Sequence, residues 1–148
     1  MAERKPLLFG AFPELSGRIS WQDLRLSQAP VQKLELLSHD DIWIKRNDLI
    51  SETIGGNKIR RLEFILAEAI RQGKKHIITH GGTGSNHCLA AAICCQLLGL
   101  KCTVCLFDQP LTENVQKTLL LLQAFGASIV YSGSIWHSLL DFYGRLRF

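Results

Sequence analysis

The chain has 148 residues, 47% apolar and 20% charged, with a net charge of +4. That is length for one domain with a real core, and too apolar for a disordered chain. The positive residues scatter from Arg4 to Arg147 among acids. They form no stripe interleaved with aromatics, so no nucleic-acid partner is expected.

The first residues, MAERKPLLFGAFPELSG, hold too short an apolar run for a signal peptide. No run is long enough to cross a bilayer, so no membrane partner is expected and a cytoplasmic location is. The segment to about Asp40 is punctuated by Pro6, Pro13, Gly17 and Pro30 and reads as irregular. DIWIKRNDL (41–49) alternates, with Ile42 and Ile44 on one face, and predicts a short strand. LISETIGG reads as a loop. From Lys58, Ile59, Leu62, Ile65, Leu66, Ala69 and Ile70 recur at helical spacing, and Gly73 stands where a helix C-terminal glycine belongs.

A pattern then repeats. HIITHGG (76–82) predicts a buried strand; NHCLAAAICCQLLG (86–99) predicts a helix apolar nearly all round. KCTVCLF (101–107) is the next strand, and the next helix starts at Thr112 and ends at Gly126. ASIVYSG (127–133) is a third strand, and a last helix follows with Ser134 as N-cap. Its apolar residues Ile135, Leu139, Tyr143 and Leu146 are expected to lack a partner surface. Alternating strands and helices predict an α/β fold with a parallel sheet, covered on both faces.

The five cysteines, Cys88, Cys94, Cys95, Cys102 and Cys105, fall in the most apolar part. Cys102 and Cys105 form a C-x-x-C, but on a strand that spacing sends them to opposite faces, against a shared metal or disulfide. His39, His76, His80 and His137 show no ligand spacing, so no metal is expected.

Chemistry is expected at two glycine segments. Parallel sheets bind ligands at the carboxyl ends of their strands, where THGGTGSNH (79–87) lies. Gly81, Gly82 and Gly84 free the backbone to approach an anion, and the helix from Asn86 aims N–H groups at it. Plain N-capping by Ser85 or Asn86 is the simpler alternative. The dinucleotide fingerprint fails because Ser85-Asn86-His87 follows Gly84, and no Gly-Lys-Ser/Thr closes a P-loop. The second segment, GGNKIRR (55–61), puts Lys58 at a helix start after two glycines.

Together, KRNDLISETIGGNKIRRLEFILAEA (45–69) and ITHGGTGSNHCLAAA (78–92) resemble the pyridoxal-phosphate enzymes of the tryptophan synthase β type, fold type II. Within these the chain is most similar to the D-cysteine desulfhydrase and 1-aminocyclopropane-1-carboxylate deaminase group. The likeness runs from about Phe12 to Tyr131 and includes APVQKLELLS (29–38) and LGLKCTVCLF (98–107). It implies a three-layer αβα, Rossmann-like small domain, present as an N-terminal portion. Residues 1–57 would belong to the larger domain and 58–148 to the smaller, incomplete one.

The resemblance also implies roles. Lys58 would form the Schiff base with pyridoxal 5'-phosphate. An amine must be neutral to attack an aldehyde, which burial beside cations such as Arg60 and Arg61 favours. Arg61 would lie near the cofactor phosphate. Ser85 would lie close to the substrate for proton transfer or nucleophilic attack, and Asn86 would bond the cofactor ring oxygen. The N–H groups of Ser85, Asn86 and His87 would hold the substrate carboxylate. Two departures stand beside that carboxylate: Gly84 where the family usually has glutamine, and Leu89 where it often has arginine.

The implied reaction is removal or rearrangement of a group on a small amino acid, by a homodimer in the full-length family. For this chain alone catalysis is left open. A truncated or degenerate, non-catalytic member is a second reading, and an unrelated Rossmann-like nucleotide binder a third.

Overall fold

The computed structural model describes residues 5–34, 41–51, 56 and 58–146. Gly55 and Asn57 of the lysine segment, residues 35–38 of the early segment and 52–54 of the expected loop lie outside the described residues. The part expected to be irregular carries a short helix, α1 (Leu7–Ala11), and a strand, β1 (Val31–Lys33). The strand pairs antiparallel with β2 (Trp43–Lys45), Val31 opposite Lys45.

The expected strand over 41–49 is therefore shorter than its alternation suggests, and Asn47–Leu49 turns as a 3-10 helix. Ile42 and Ile44 are 37% and 42% exposed, not inward-facing. A two-stranded ribbon has too little surface to bury a face of its own.

Helix α2 (Ile59–Arg71) lays Ile59, Leu62, Leu66 and Ala67 into the core, while the predicted stripe members Ile65 and Ile70 are exposed. Then come β3 (His76–Gly82), α3 (Asn86–Leu97), β4 (Lys101–Phe107), α4 (Glu113–Ala124), β5 (Ser128–Gly133) and α5 (Ile135–Arg145). The strands form one parallel sheet in the order β3-β4-β5, with His76 beside Lys101 and Thr103 beside Ser128. The caps read from the sequence are present: Thr112 Oγ1 accepts from Val115 N–H and Ser134 Oγ from His137 N–H.

Helices α2, α3 and α4 end alike. Gly73, Gly99 and Gly126 take positive φ, and the next N–H reaches back to Ala69, Cys95 or Leu122 at 2.9, 2.8 and 3.0 Å. This satisfies carbonyls the helix leaves open, in a backbone shape that favours glycine.

Side chains on β4 separate the two faces of the sheet. Cys102, Val104 and Leu106 join the core with Cys88, Ala91, Ala92 and Cys95 of α3. Cys105 lies against α5, where Ser138 Oγ donates to its carbonyl at 3.2 Å. The two cysteines thus point to opposite faces, as the strand spacing predicts, and all five are free and buried. On the α5 side His80 packs against Phe107 and Phe142, with ring centroids 5.4 and 6.0 Å away.

The outer face of α5 is bare: Trp136 is 74% exposed, Leu140 70% and Tyr143 61%. Ile135 and Leu146 are exposed as expected, whereas Leu139 is half-buried. Among the described residues no helix is long and apolar enough to cross a membrane.

Candidate functional site

Two helix starts meet at one place. Lys58 is the residue before α2; it is exposed, and its carbonyl accepts from Arg61 N–H at 3.1 Å. The exposed Arg61 rides on the first turn. His87 stands at the start of α3, half-buried, with Nδ1 enclosed and without a partner among the described residues. Burial holds its pKa below the ordinary histidine range, and the nearby charges of Lys58 and Arg61 push the same way. Two segments separate in sequence thus place two cations beside a neutral imidazole.

The turn before α3 is tightly built. Ser85 has extended backbone and caps the helix, its Oγ accepting from Cys88 N–H at 3.3 Å. Thr83 N–H donates to Phe107 O at 3.0 Å, tying the turn to the end of β4. A methyl on Gly81 would lie 2.7 Å from Ser85 Oγ and 2.8 Å from Cys88 Sγ, so only glycine lets the strand pass beneath the helix. Thr83 is 6% exposed and its hydroxyl has no partner among the described residues. Asn86 is exposed at the first helical position.

Of the residues singled out in the sequence, the structure brings Lys58, Arg61 and His87 together, with Ser85 and Asn86 on the adjoining turn. Arg60 belongs elsewhere. It donates to Ser27 O at 2.6 Å and lies 4.0 Å from the Glu63 carboxylate, so it clamps an N-terminal strap to α2. Lys58 is exposed, so the burial expected to favour its neutral form is absent.

Sequence reasoning missed two residues. Glu63, 2% exposed, accepts from Leu24 N–H at 3.5 Å while its own carbonyl takes Gln22 N–H. A carboxylate inside an apolar helical stripe was the available signal. Gln109, from the loop after β4, accepts from Gly84 N–H at 2.9 Å. Nothing in its local sequence marks it.

An α/β unit with a lysine at one helix start and a glycine turn at the next defines the class of an anion-binding site at strand carboxyl ends. The pyridoxal-phosphate dependent enzyme family matches residues 23–145, and the chain belongs to that family. The unrelated nucleotide-binding reading is thereby set aside.

A D-cysteine desulfhydrase of Serratia proteamaculans is 39% identical over 115 residues, 72% of this chain and 34% of that protein. One of Yersinia enterocolitica is 38% identical over 116 residues, 73% and 35% of the two chains. The chain thus spans about a third of the length of these curated relatives. Among solved structures, an ACC deaminase homologue superposes with TM-score 0.76 at 29% identity, covering 97% of this chain and 43% of the other. A hydrogen sulfide-producing enzyme of Fusobacterium nucleatum shares the fold at TM-score 0.60 and 16% identity, over 83% and 40%.

The family's cofactor is pyridoxal phosphate, and the residues fit it. An aldehyde needs an amine and a phosphate needs cations. Lys58 and Arg61 enter no ion pair among the described residues, and the enclosed His87 Nδ1 is open to a partner. Arg61, Lys58 and the α3 N-terminus would hold the group.

Proposed function

We propose that this chain carries the cofactor-binding amine and one wall of the site of a pyridoxal-phosphate-dependent lyase or deaminase. Its substrate is a small amino acid of the D-cysteine or 1-aminocyclopropane-1-carboxylate type. The observation that carries the reading is the match of residues 23–145 to the pyridoxal-phosphate dependent enzyme family, with Lys58 at the start of α2 and the capped glycine turn at the start of α3. Kinship with desulfhydrases and a deaminase homologue supports the substrate class.

Each side chain has a task. Lys58 supplies the amine that attaches the cofactor, and Arg61 its positive surrounding. Asn86, exposed at the first helical position, presents its amide to the cofactor ring oxygen. The N–H groups at Asn86 and His87 receive the substrate carboxylate, aided by the positive end of α3, whereas the Ser85 N–H expected to join them is donated to Gly82 O at 2.9 Å. Ser85, whose Oγ caps α3 by accepting from Cys88 N–H, supplies the hydroxyl for proton transfer or nucleophilic attack at the substrate. His87 stays neutral beside two cations and keeps its Nδ1 open to a partner. When bound, pyridoxal phosphate draws electrons from the substrate α-carbon, making deprotonation or ring opening accessible.

The proposal keeps the division at residue 57. The strap around Leu24–Ser27 then joins the larger domain to α2 through Glu63 and Arg60. It also places the full-length protein in the cytoplasm as a homodimer.

A non-catalytic role for the chain by itself is favoured by the exposure of Lys58 and Asn86, which leaves an attached cofactor open to water. Titration with pyridoxal phosphate tests both statements. A visible band should form, disappear in Lys58→Ala and be lost on dialysis, with no sulfide or ammonia released from D-cysteine. A band indifferent to Lys58→Ala contradicts the assignment. A dialysis-resistant band with turnover contradicts the silence of the isolated chain.

A further inference from the structure

The Gln109 side chain has no place in the scheme above, yet its contacts fall on the glycine turn. Its Oε1 accepts from Gly84 N–H at 2.9 Å, and a methyl at Gly84 would lie 3.3 Å from that oxygen. A methyl at Gly82 would overlap the Gln109 carboxamide itself. The absence of side chains at 82 and 84 therefore makes the bed on which this carboxamide rests. The base of the loop is anchored, since Thr83 N–H reaches Phe107 O and Asp108 N–H reaches Gly133 O at 3.0 and 2.9 Å.

The hydrogen bond also settles the orientation of the amide. An N–H donor at Gly84 demands the oxygen end, so the NH2 end is the free one. Gln109 Nε2 has no partner among the described residues. Two unpaired donors on a neutral group thus stand at the rim of the turn. The Gly84 N–H that holds the carboxamide lies one residue before Ser85, the cap of α3, so these donors stand on the turn that leads into the positive end of that helix.

We propose that Gln109 is a substrate-binding residue that clamps the substrate carboxylate from the β4 side through its Nε2 hydrogens, held in position by Gly84 N–H. This rests on the reading of the Ser85–His87 turn as the carboxylate site and adds a side-chain donor to it. The ligand class follows from the donors: a carboxylate, met by neutral N–H groups on one side and by the helix start on the other. The opposing possibility is that Gln109 only plugs the turn by occupying Gly84 N–H. The two predict opposite signs for one substitution.

Acetate is a probe with a carboxylate and nothing else, so its binding needs no cofactor. Amide resonances of Gly84, Ser85 and Asn86 in the 148-residue chain are followed while acetate is added. Gln109→Met keeps the length, removes the donor and frees Gly84 N–H. The clamp predicts acetate binding weakened about tenfold, the scale of one hydrogen bond to a charged group. A plug predicts tighter binding. Gly82→Ala should also weaken binding, by displacing the carboxamide without changing residue 109. Unchanged or tighter binding in Gln109→Met, or no acetate response in the parent chain, overturns the proposal. Failure of the Lys58 assignment would show in the pyridoxal-phosphate titration and leave the acetate result untouched.

Discussion

The two helix starts of the site are built in opposite ways. At α3 the turn is over-determined: Ser85 caps the helix, Gly81 lets the strand pass beneath it, Thr83 is bonded to the end of β4 and Gly84 to the loop that follows. At α2, Lys58 takes helical backbone angles with no side-chain cap and stands exposed. The first start is a rigid donor array that needs no ligand to hold its shape. The second offers a reactive amine whose surroundings the rest of a larger site must complete. Preorganised donors and a free nucleophile make different demands on the chain, and only the donors require tight packing.

Substitutions that exploit this contrast should differ in cost. Gly81→Ala should cost most, about 1–3 kcal/mol, because the new methyl meets Ser85 and Cys88, which cannot swing away. Urea unfolding measures it, and a neutral result would mean the turn is looser than described. Ser85→Ala should cost about 1 kcal/mol by removing the cap. Lys58→Ala should stay within about 0.5 kcal/mol of the parent while removing pyridoxal-phosphate attachment. If Lys58→Ala destabilised the chain as much as Ser85→Ala, the contrast between the starts would fail.

His87 adds a pH dependence. Its pKa is depressed in the fold by burial first and by Lys58 and Arg61 second. Between the folded value and the unfolded value near 6.5, the unfolded chain binds more protons, so stability rises with pH. The contribution is whole above about pH 6.5 and drains as pH falls toward the folded value. Unfolding midpoints from about pH 8 down to about pH 5 should fall less steeply in His87→Gln than in the parent. Equal slopes would show that the ring is not held neutral.

Much of the fold was legible because its signals are local. The strands over 76–82 and 101–107 are compact apolar runs, and Gly73, Gly99 and Gly126 end their helices where the sequence places them. Thr112, Ser134 and Ser85 cap as their position before a helix suggests. The hairpin was less legible, because strands of three residues are shorter than the pattern that would reveal them. The features missed join distant segments: Leu24 to Glu63 across 39 residues and Gly84 to Gln109 across 25. Arg60 was placed near the cofactor by its neighbour Lys58, yet one step around a helix turns a side chain by about 100°. That rotation puts Arg60 against Ser27 and leaves Arg61 near His87.

The central claim is that Lys58 is the amine placed for pyridoxal phosphate. The direct measurement is borohydride reduction of the chain with less than one equivalent of pyridoxal phosphate, followed by peptide mapping. The adduct should lie on Lys58, where Arg61 and the α3 start also hold the phosphate. Label concentrated instead on Lys74, Lys75 or Lys101, all exposed, would contradict the account.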